Sequence, residues 1–327
     1  MGRGVSVTIA VRRFSLFGLG IASEIPLPEL PELAESRSGR TDVVLRNCQV
    51  APLASGRGGV EAVDGGITLA VDGIARYHVR GGAEIFVEAA PDADPRNVRL
   101  FLLGSAFGIL IHQRGLFPLH ANAVEVGQEA VAFTGQSGAG KSTLAAWFHD
   151  RGSRIVADDV CVIKIDEHGT PLALPGLPRF RLWREALERS GRDARNHLRS
   201  FIGEDDFDKY DVAVAAAGVV DRPLPLRAVY LLERGSFAIE RLHGVAAAEI
   251  LFANTYRGEF LSVIRAEPAH WQIALRLLER VPVYRFSRRW DVASMANDNA
   301  ALLETLEKDL GQGGPGQPLH FYDKNSG

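Results

Sequence analysis

Short apolar runs, separated by turn-forming residues, fill the first 88 positions of the chain. The runs are rich in Val, Ile and Phe, and pairs such as Asp72-Gly73 and Gly81-Gly82 stand between them, which is typical of strands joined by tight turns. The pattern predicts an antiparallel β-rich region with strands at 5–11, 14–21, 43–50, 67–71, 76–79 and 84–87. No residue of this region indicates a catalytic or binding function.

After a break at 92–97 that is rich in Pro and Asp, helical and strand-like periods alternate along the chain. Helices are predicted at 98–113, 141–151, 182–190, 245–253, 269–280 and 292–310, and strands at 119–126, 130–134, 154–157, 161–165, 228–233 and 237–242. Such an alternation favours an α/β domain. We therefore divide the chain into a small β-rich N-terminal domain at 1–92, an α/β domain at 93–310 and a Gly-rich tail at 311–327 that we predict to be disordered.

The composition is that of a globular protein, because 46% of the 327 residues are hydrophobic and the net charge is −3. A nucleic-acid-binding protein normally carries a basic surplus, so we expect no nucleic-acid partner. The longest apolar run, 101–111, is too short to cross a bilayer, so we expect no membrane association. Cys48 and Cys161 lie far apart, which excludes a disulfide scaffold and a zinc pattern and favours the reducing cytoplasm.

A phosphate-loop motif (Walker A) begins at Gly135 and ends at Ser142. It reads Gly-Gln-Ser-Gly-Ala-Gly-Lys-Ser, between a predicted buried strand and a predicted helix. The glycines let backbone N–H groups approach phosphates, Lys141 neutralises phosphate charge, and the Ser142 hydroxyl suits Mg²⁺. The motif predicts a nucleoside triphosphate site without choosing among ATPases, GTPases and kinases. The predicted nucleotide-binding residues are Gly135, Ser137, Gly138, Ala139, Gly140, Lys141, Ser142 and Thr143.

Two carboxylates and a histidine lie close to this motif in the sequence. Asp158 and Asp159 follow the predicted strand 154–157, which we expect to be a near neighbour of the strand before the loop. One carboxylate could accept a hydroxyl proton while the other holds Mg²⁺, and the alternative is a simple Asp-Asp turn. His120 begins the predicted strand 119–126, where a histidine is either a hydrogen-bonded core residue or a catalytic one.

Together these residues resemble the HPr kinase/phosphorylase family. Its catalytic domain has a histidine at a strand start, a short hairpin, a Gly-x-Ser-Gly-x-Gly-Lys-Ser loop, a helix ending in glycine and a strand leading to Ala-Asp-Asp. Here those positions are His120, 135–142, Gly152 and 157–159. The resemblance implies a phosphate-loop kinase domain akin to phosphoenolpyruvate carboxykinase, with ATP and Mg²⁺ as cofactors and a serine hydroxyl as acceptor. It also implies that Asp158 is the general base and that His120 supports the same site.

The sequence thus predicts an ATP-dependent serine kinase. We assign catalysis to Asp158, His120 and Lys141 and the metal ion to Ser142 and Asp159. Two other functions stay open, an ATP-binding regulator or scaffold that transfers no phosphate and a small-molecule kinase. The resemblance also suggests a homo-oligomer.

The chain departs from the family where HPr kinases bind their protein substrate. Their Arg-Gly-Leu-Gly-Ile segment has no counterpart, and residues 175–183 read Pro-Gly-Leu-Pro-Arg-Phe-Arg-Leu-Trp instead. The stretch 23–30, Arg114-Gly115 and the Pro-Gly-x-Pro element are similar to HPr-kinase-like proteins of bacterial biosynthetic clusters. In lasso peptide clusters such proteins phosphorylate the C-terminal serine of a precursor peptide. This second resemblance implies a ribosomally made precursor peptide as the substrate.

Several charged residues downstream are weaker candidates. Arg179 and Arg181 either reach a transferring phosphate or lie on the solvated surface. Lys209, one of five lysines in the chain, could contact substrate or phosphate. The acidic run 204–208 offers either a second metal ligand or a solvated loop. Two aromatic residues are interpreted as core or rim residues rather than as a base-stacking platform: Trp183 and Trp290.

Overall fold

The computed structural model describes residues 11–33, 39–203, 208–290 and 292–312. The chain divides into two units, Met1–Arg114 and Gly115–Gly327. This division falls after the helical segment that follows residue 92, whereas the sequence analysis placed its boundary before that segment.

One β-sheet forms most of the first unit. Its strands are β1 (Arg12–Leu16), β2 (Leu19–Ser23), β3 (Val43–Asn47), β4 (Gly59–Val63), β5 (Gly66–Val71), β6 (Ala75–Arg80) and β7 (Glu84–Ala89). Within the described residues these seven strands lie in the order β1-β2-β3-β7-β6-β5-β4. Strand β3 pairs in parallel with both β2 and β7, so the prediction of an antiparallel region is wrong for these two pairs.

The predicted strand 14–21 is a hairpin in the structure. Phe17 and Gly18 both have φ in the left-handed region, 53° and 69°, and turn the chain between β1 and β2. Leu16 and Leu19, on either side of this turn, are both buried, so the apolar run continues through it. A hydrophobic pattern alone therefore did not show the turn. Of the predicted strand at 5–11, residues 5–10 lie outside the described part of the chain.

A helical segment completes the first unit. It consists of α1 (Pro95–Phe101), a wider π-helical stretch (Leu102–Ala106) and α2 (Phe107–Gln113). The segment begins three residues before the predicted start because the Asp94 carboxylate caps it, accepting from the Arg96 N–H at 2.7 Å. The Tyr77 hydroxyl, on β6, donates to the carbonyl oxygen of Val98 at 2.7 Å. This bond between sheet and helix explains why the segment belongs to the first unit.

The second unit is a mixed α/β structure, which confirms the α/β class predicted for this part. Its strands are β8 (Phe117–Leu119), β9 (Ala121–Val126), β10 (Glu129–Thr134), β11 (Ile155–Ala157), β12 (Cys161–Ile165), β13 (Pro171–Ala173), β14 (Arg179–Trp183), β15 (Leu198–Arg199), β16 (Lys209–Ala213), β17 (Leu224–Arg234), β18 (Ala238–Leu242) and β19 (Val283–Arg288). Its helices are α3 (Lys141–His149), α4 (Arg184–Arg189), α5 (Gly244–Ala253), α6 (Leu261–Ile264), α7 (Glu267–Leu278) and α8 (Val292–Gln312).

The larger sheet of this unit places β10 near its centre. In the described residues nine strands follow the order β11-β9-β10-β17-β13-β12-β8, with β19 beside β17 and β18 beside β19. Strands β10 and β19 both run parallel to β17, and β10 is buried along its whole length. Phe133 packs in one apolar cluster with Leu144 and Phe148, so α3 covers one face of the sheet. Leu251 and Leu277 belong to a second cluster, so α5 and α7 cover the other face.

Two predictions about this unit are wrong in detail. The first two residues of the predicted helix 182–190 belong to β14, which forms a separate small sheet in the order β14-β16-β15. The predicted strand 119–126 is interrupted at His120, where β8 ends and β9 begins. Strand β11 is a near neighbour of β10, as predicted, with only β9 of the β9–β10 hairpin between them.

At the C-terminal end, helix α8 extends to Gln312, two residues into the predicted tail. The remaining residues of that prediction, 313–327, lie outside the described part of the chain. Among the described residues, no helix combines the length and the apolar composition needed to span a membrane.

Candidate functional site

The phosphate loop, residues 135–140, joins the buried strand β10 to helix α3. Gly135, where the loop leaves the sheet, has a φ of 135°. A Cβ atom there would lie 2.9 Å from the carbonyl oxygen of Leu232 in the neighbouring strand β17. Only glycine therefore allows the loop to leave the sheet at this point. The structure places strand, loop and helix in the order that a phosphate-binding loop requires.

The loop and the start of α3 present positive charge to one space. The Nζ of Lys141 donates to the carbonyl oxygens of Gly135 and Gln136, at 2.8 and 3.2 Å. Burial lowers the pKa of Lys141, and the charge of Asp159 opposes this effect. No described side chain caps the first N–H groups of α3, whose N-cap is Gly140. An uncapped helix start attracts anions, so this end of α3 favours phosphate.

Asp158 lies directly after β11, with only 5% of its surface exposed. Its Oδ2 accepts from the backbone N–H of Arg181 at 2.8 Å, and its Oδ1 accepts from the side-chain amide of Asn122. The same Asn122 nitrogen lies 3.3 Å from the Oγ of Ser142. Burial and the neighbouring charge of Asp159 raise the pKa of Asp158 to about 7. A carboxyl group with this pKa is suited to exchange a proton at neutral pH.

Asp159 is held in an ion pair instead. Its Oδ2 lies 2.6 Å from the Nη1 of Arg181. Burial alone would raise the pKa of Asp159, but the charges of Arg181 and Lys209 outweigh burial and the pKa is lowered. The two adjacent carboxyl groups therefore have pKa values shifted in opposite directions, which is common where neighbouring acids perform different tasks.

His120 lies between β8 and β9, beside the same acidic pair. Its Nδ1 is 3.0 Å from the carbonyl oxygen of Asp159. A proton on Nδ1 would be donated to that oxygen and would leave Nε2 as the acceptor. Burial and the charge of Lys141 lower the pKa of His120, so its ring is neutral at neutral pH.

Lys141, Asp159 and His120 line a cleft of about 590 Å³ in the second unit, whereas Asp158 and Asn122 are not among its lining residues. Arg181 and Lys209 also line it, and the Nζ of Lys209 lies 4.9 Å from the centre of the Trp183 ring. Trp183 and Trp290 are 38% and 41% exposed and also line the cleft, so they are rim residues. Seven of the eight predicted nucleotide-binding residues face this space: Ser137, Gly138, Ala139, Gly140, Lys141, Ser142 and Thr143.

Two residues of the site were missed by the sequence analysis. Asn122 was missed although it is polar in an otherwise apolar stretch of β9, which is a readable signal. Arg288, the last residue of β19, lines the cleft and donates to the carbonyl oxygen of Gly140 at 3.2 Å. It also donates to the Oδ1 of Asn299 at 2.6 Å. No local signal indicates Arg288, because its strand was not predicted and its contacts are distant in sequence.

The remaining candidates are engaged elsewhere. Arg179 forms an ion pair with Asp211 at 2.9 Å. Asp208 forms an ion pair with Arg184 at 2.5 Å. None of these four residues is among the described residues that line the cleft. The acidic residues at 204–206 lie outside the described part of the chain.

The donor groups near the loop fit a magnesium ion that arrives with a nucleotide. In the described residues no three His, Cys, Asp or Glu side chains form a group that could hold a metal ion by themselves. The Ser142 hydroxyl and the Asp158 carboxylate, however, both lie beside the Asn122 amide nitrogen. Mg²⁺ takes few protein oxygens and completes its octahedron with water and phosphate oxygens. Asp158 shares the Asn122 amide with Ser142, whereas Asp159 is paired with Arg181.

No protein-family model matches the chain, and no curated protein matches its sequence. Among solved structures, the chain is similar to the HPr(Ser) kinase/phosphatase from Coxiella burnetii, with 14% sequence identity. The match covers 58% of this chain and 97% of that chain, with a TM-score of 0.31. A likeness of this size carries no argument about activity, so the chemistry rests on the geometry of the cleft.

Proposed function

We propose that the protein is an ATP- and Mg²⁺-dependent kinase that transfers the γ-phosphoryl group to a serine hydroxyl of a protein or peptide. One observation carries the proposal: Ser142 of the phosphate loop and the buried carboxylate of Asp158 meet at the amide nitrogen of Asn122. The start of α3 and a buried carboxyl group whose pKa is about 7 are therefore joined through one side chain. Phosphate binding and proton acceptance are the two requirements for transfer to a hydroxyl.

The loop binds the nucleotide through backbone and charge. Lys141 exchanges its bonds to the carbonyl oxygens of Gly135 and Gln136 for bonds to phosphate oxygens. The start of α3 directs its N–H groups at the same phosphates. Ser142 and an acidic residue of the pair would hold Mg²⁺, which would neutralise phosphate charge when bound. Asp159 remains our predicted second ligand, and its ion pair with Arg181 must then loosen when the metal binds.

Asp158 accepts the proton of the acceptor hydroxyl. As the hydroxyl oxygen bonds to the γ-phosphorus, the bond between that phosphorus and the oxygen bridging to the β-phosphate breaks, and ADP leaves. The proton of the hydroxyl passes to the Asp158 carboxylate. Arg181 and Lys209 lie where they can stabilise the charge of the transferring group, because both line the cleft beside Asp159. Neutral His120 orients the acceptor through its Nε2.

For the acceptor we propose the serine of a ribosomally made precursor peptide. The resemblance of 23–30 and of the Pro-Gly-x-Pro element to lasso-cluster proteins supports this choice. The cleft rim adds a second argument, because the exposed rings of Trp183 and Trp290 offer apolar area to an extended chain. A small-molecule acceptor would need no such rim.

The test is mass spectrometry of candidate precursor peptides incubated with the protein, ATP and Mg²⁺. We expect a serine peptide to gain one phosphate with the wild type and none with Lys141→Ala. Asp158→Asn should also abolish transfer while ATP binding, measured by calorimetry, persists. Lys164→Ala is the matched control, because Lys164 is an exposed lysine of the same unit.

Two outcomes would replace the proposal. ATP binding without transfer to any peptide or small molecule would identify an ATP-binding regulator. Phosphorylation of free serine or of a sugar, with no peptide phosphorylated, would identify a small-molecule kinase. Full activity of Asp158→Asn would show that Asp158 is not the general base, but it would not contradict the kinase activity.

A further inference from the structure

Asn122 connects the two groups on which the proposed reaction depends. It lies on β9, fully buried, and its side-chain nitrogen donates to the Oδ1 of Asp158. The same nitrogen lies 3.3 Å from the Oγ of Ser142. Asp158 and Ser142 belong to different elements, the end of β11 and the start of α3, and Asn122 contacts both from a third. We propose that Asn122 is a positioning residue: its amide fixes the position of the Asp158 carboxylate relative to the Ser142 hydroxyl. This inference rests on the proposed function.

The face of β9 that carries Asn122 is otherwise apolar. On β9 the side chains of Asn122, Val124 and Val126 share one face of the strand. Val124 and Val126 belong to the apolar cluster that packs against Leu144 and Phe148 of α3. At the position of Asn122, valine or leucine would extend this cluster. The amide is therefore explained by what it bonds rather than by packing.

The unpartnered side-chain oxygen of Asn122 also supports a functional role for this residue. Its Oδ1 is buried and has no partner among the described residues. A buried carbonyl oxygen without a partner costs free energy, because it has lost its hydrogen bonds to water. The side-chain oxygen of Asn122 bears this cost, while its side-chain nitrogen contacts Asp158 and Ser142. Such a cost is common at sites that are shaped for function rather than for stability.

The proposed role predicts which kinetic constant changes. Asn122 is not among the described residues that line the cleft, so its loss should not weaken the binding of the acceptor peptide. A carboxylate displaced by about 1 Å can reduce the rate of a reaction about 100-fold. We therefore expect Asn122→Ala to lower kcat about 10- to 100-fold, with the KM for the peptide unchanged within about twofold.

A second readout does not depend on transfer. If Asn122 fixes the Ser142 hydroxyl where it can ligate the metal, Mg²⁺ should tighten ATP binding to the wild type more than to Asn122→Ala. Calorimetry of ATP binding with Mg²⁺ and with a chelator measures this ratio. We expect the variant to lose most of the Mg²⁺ dependence while its affinity for metal-free ATP stays the same.

The variants separate positioning from packing. Asn122→Leu keeps the volume and removes the donor, so it should behave like Asn122→Ala. Asn122→Thr keeps a hydroxyl donor and should recover part of both effects. Asn254→Ala is the matched control, because the Asn254 amide donates to the carbonyl oxygen of Ile250 at 2.8 Å and not to the acidic pair. Thermal melting of each variant identifies any that fails to fold.

The outcomes distinguish this inference from the proposed function. A folded Asn122→Leu with wild-type kcat and wild-type Mg²⁺ dependence would overturn the positioning role even if the wild type is an active kinase. A wild type without phosphotransfer would overturn the proposed function, and the calorimetric ratio would still decide the role of Asn122. Equal losses in Asn122→Leu and Asn254→Ala would show a purely structural effect and would also overturn it.

Discussion

The guanidinium group of Arg288 donates from Nη2 to the carbonyl oxygen of Gly140, 3.2 Å away. Arg288 ends strand β19 and is 1% exposed, and Gly140 is the last residue before helix α3. The Nη1 of Arg288 donates to the Oδ1 of Asn299 in α8 at 2.6 Å. A Cβ atom on Gly140 would lie 2.7 Å from the Nη2 of Arg288. The end of the phosphate loop is thus hydrogen-bonded to a residue 148 positions away in the sequence.

We predict that Arg288→Met weakens nucleotide binding. Methionine keeps much of the length of the side chain but removes the donors, which leaves the carbonyl oxygen of Gly140 without this partner. A hydrogen bond from a charged donor contributes about 1.5–3 kcal/mol, so ATP affinity should fall about tenfold or more. Calorimetry measures the change. Arg285→Met, on the same strand but paired with the exposed Glu240, is the control and should bind ATP normally. Equal affinities for the two variants would contradict the prediction.

We predict that Lys209→Ala slows phosphotransfer more than it weakens ATP binding. Lys209 lies on β16, opposite Trp183 on β14, and lines the cleft on the side of Asp159. Its charge stabilises a transferring phosphoryl group more than the nucleotide that the loop already holds. We expect kcat to fall about tenfold or more, since one charged contact of this kind contributes about 1.5–3 kcal/mol. Lys164→Ala should change neither constant, and a Lys209→Ala variant with wild-type kcat would refute the assignment.

The rate of transfer should depend on pH through Asp158. Burial raises the pKa of Asp158 to about 7, so below this pH the group is protonated and cannot accept a proton. We therefore expect kcat to rise with pH up to about 7 and then to level off. His120 adds no titration above neutrality, because its pKa is lowered. A series of kcat measurements from acidic to mildly alkaline pH tests this. A rate independent of pH across neutrality would show that Asp158 is not the base.

The two cysteines should differ in reactivity. Cys48 is exposed, whereas Cys161 is fully buried on β12 and burial raises the pKa of its thiol to about 12. Only the thiolate reacts with alkylating agents. Partial burial and the charge of Glu24 raise the pKa of the Cys48 thiol as well, but this thiol is accessible, so the folded protein should take up its first label at Cys48. Mass spectrometry of the labelled protein should show the second label only after denaturation. Cys48→Ser should remove the fast label, and rapid labelling of that variant would mean that the core around Cys161 opens readily.

Some parts of the site follow from nearby sequence alone. The phosphate loop was predicted with its strand and helix because its glycines and lysine are contiguous, and its left-handed backbone is a local property of glycine. The boundaries predicted for β12 also agree with the structure, because turn-forming residues stand on both sides of its short apolar run. Strand β14 could also have been found. Its buried Phe180 and Leu182 alternate with Arg179, Arg181 and Trp183, which is a strand period rather than a helical one.

Residues close together in the sequence specify the local chemistry: a loop able to bind phosphate, an acidic pair after a strand, and a histidine nearby. Long-range packing brings Asn122 into contact with both Asp158 and Ser142, and brings Arg288 to the carbonyl oxygen of Gly140. These contacts join residues 20, 36 and 148 positions apart. They depend on strand order and register, which place β9 between β10 and β11 and bring the end of β19 under α3. Hydrophobic periodicity shows that a strand is buried, but it does not show which strand lies next to it.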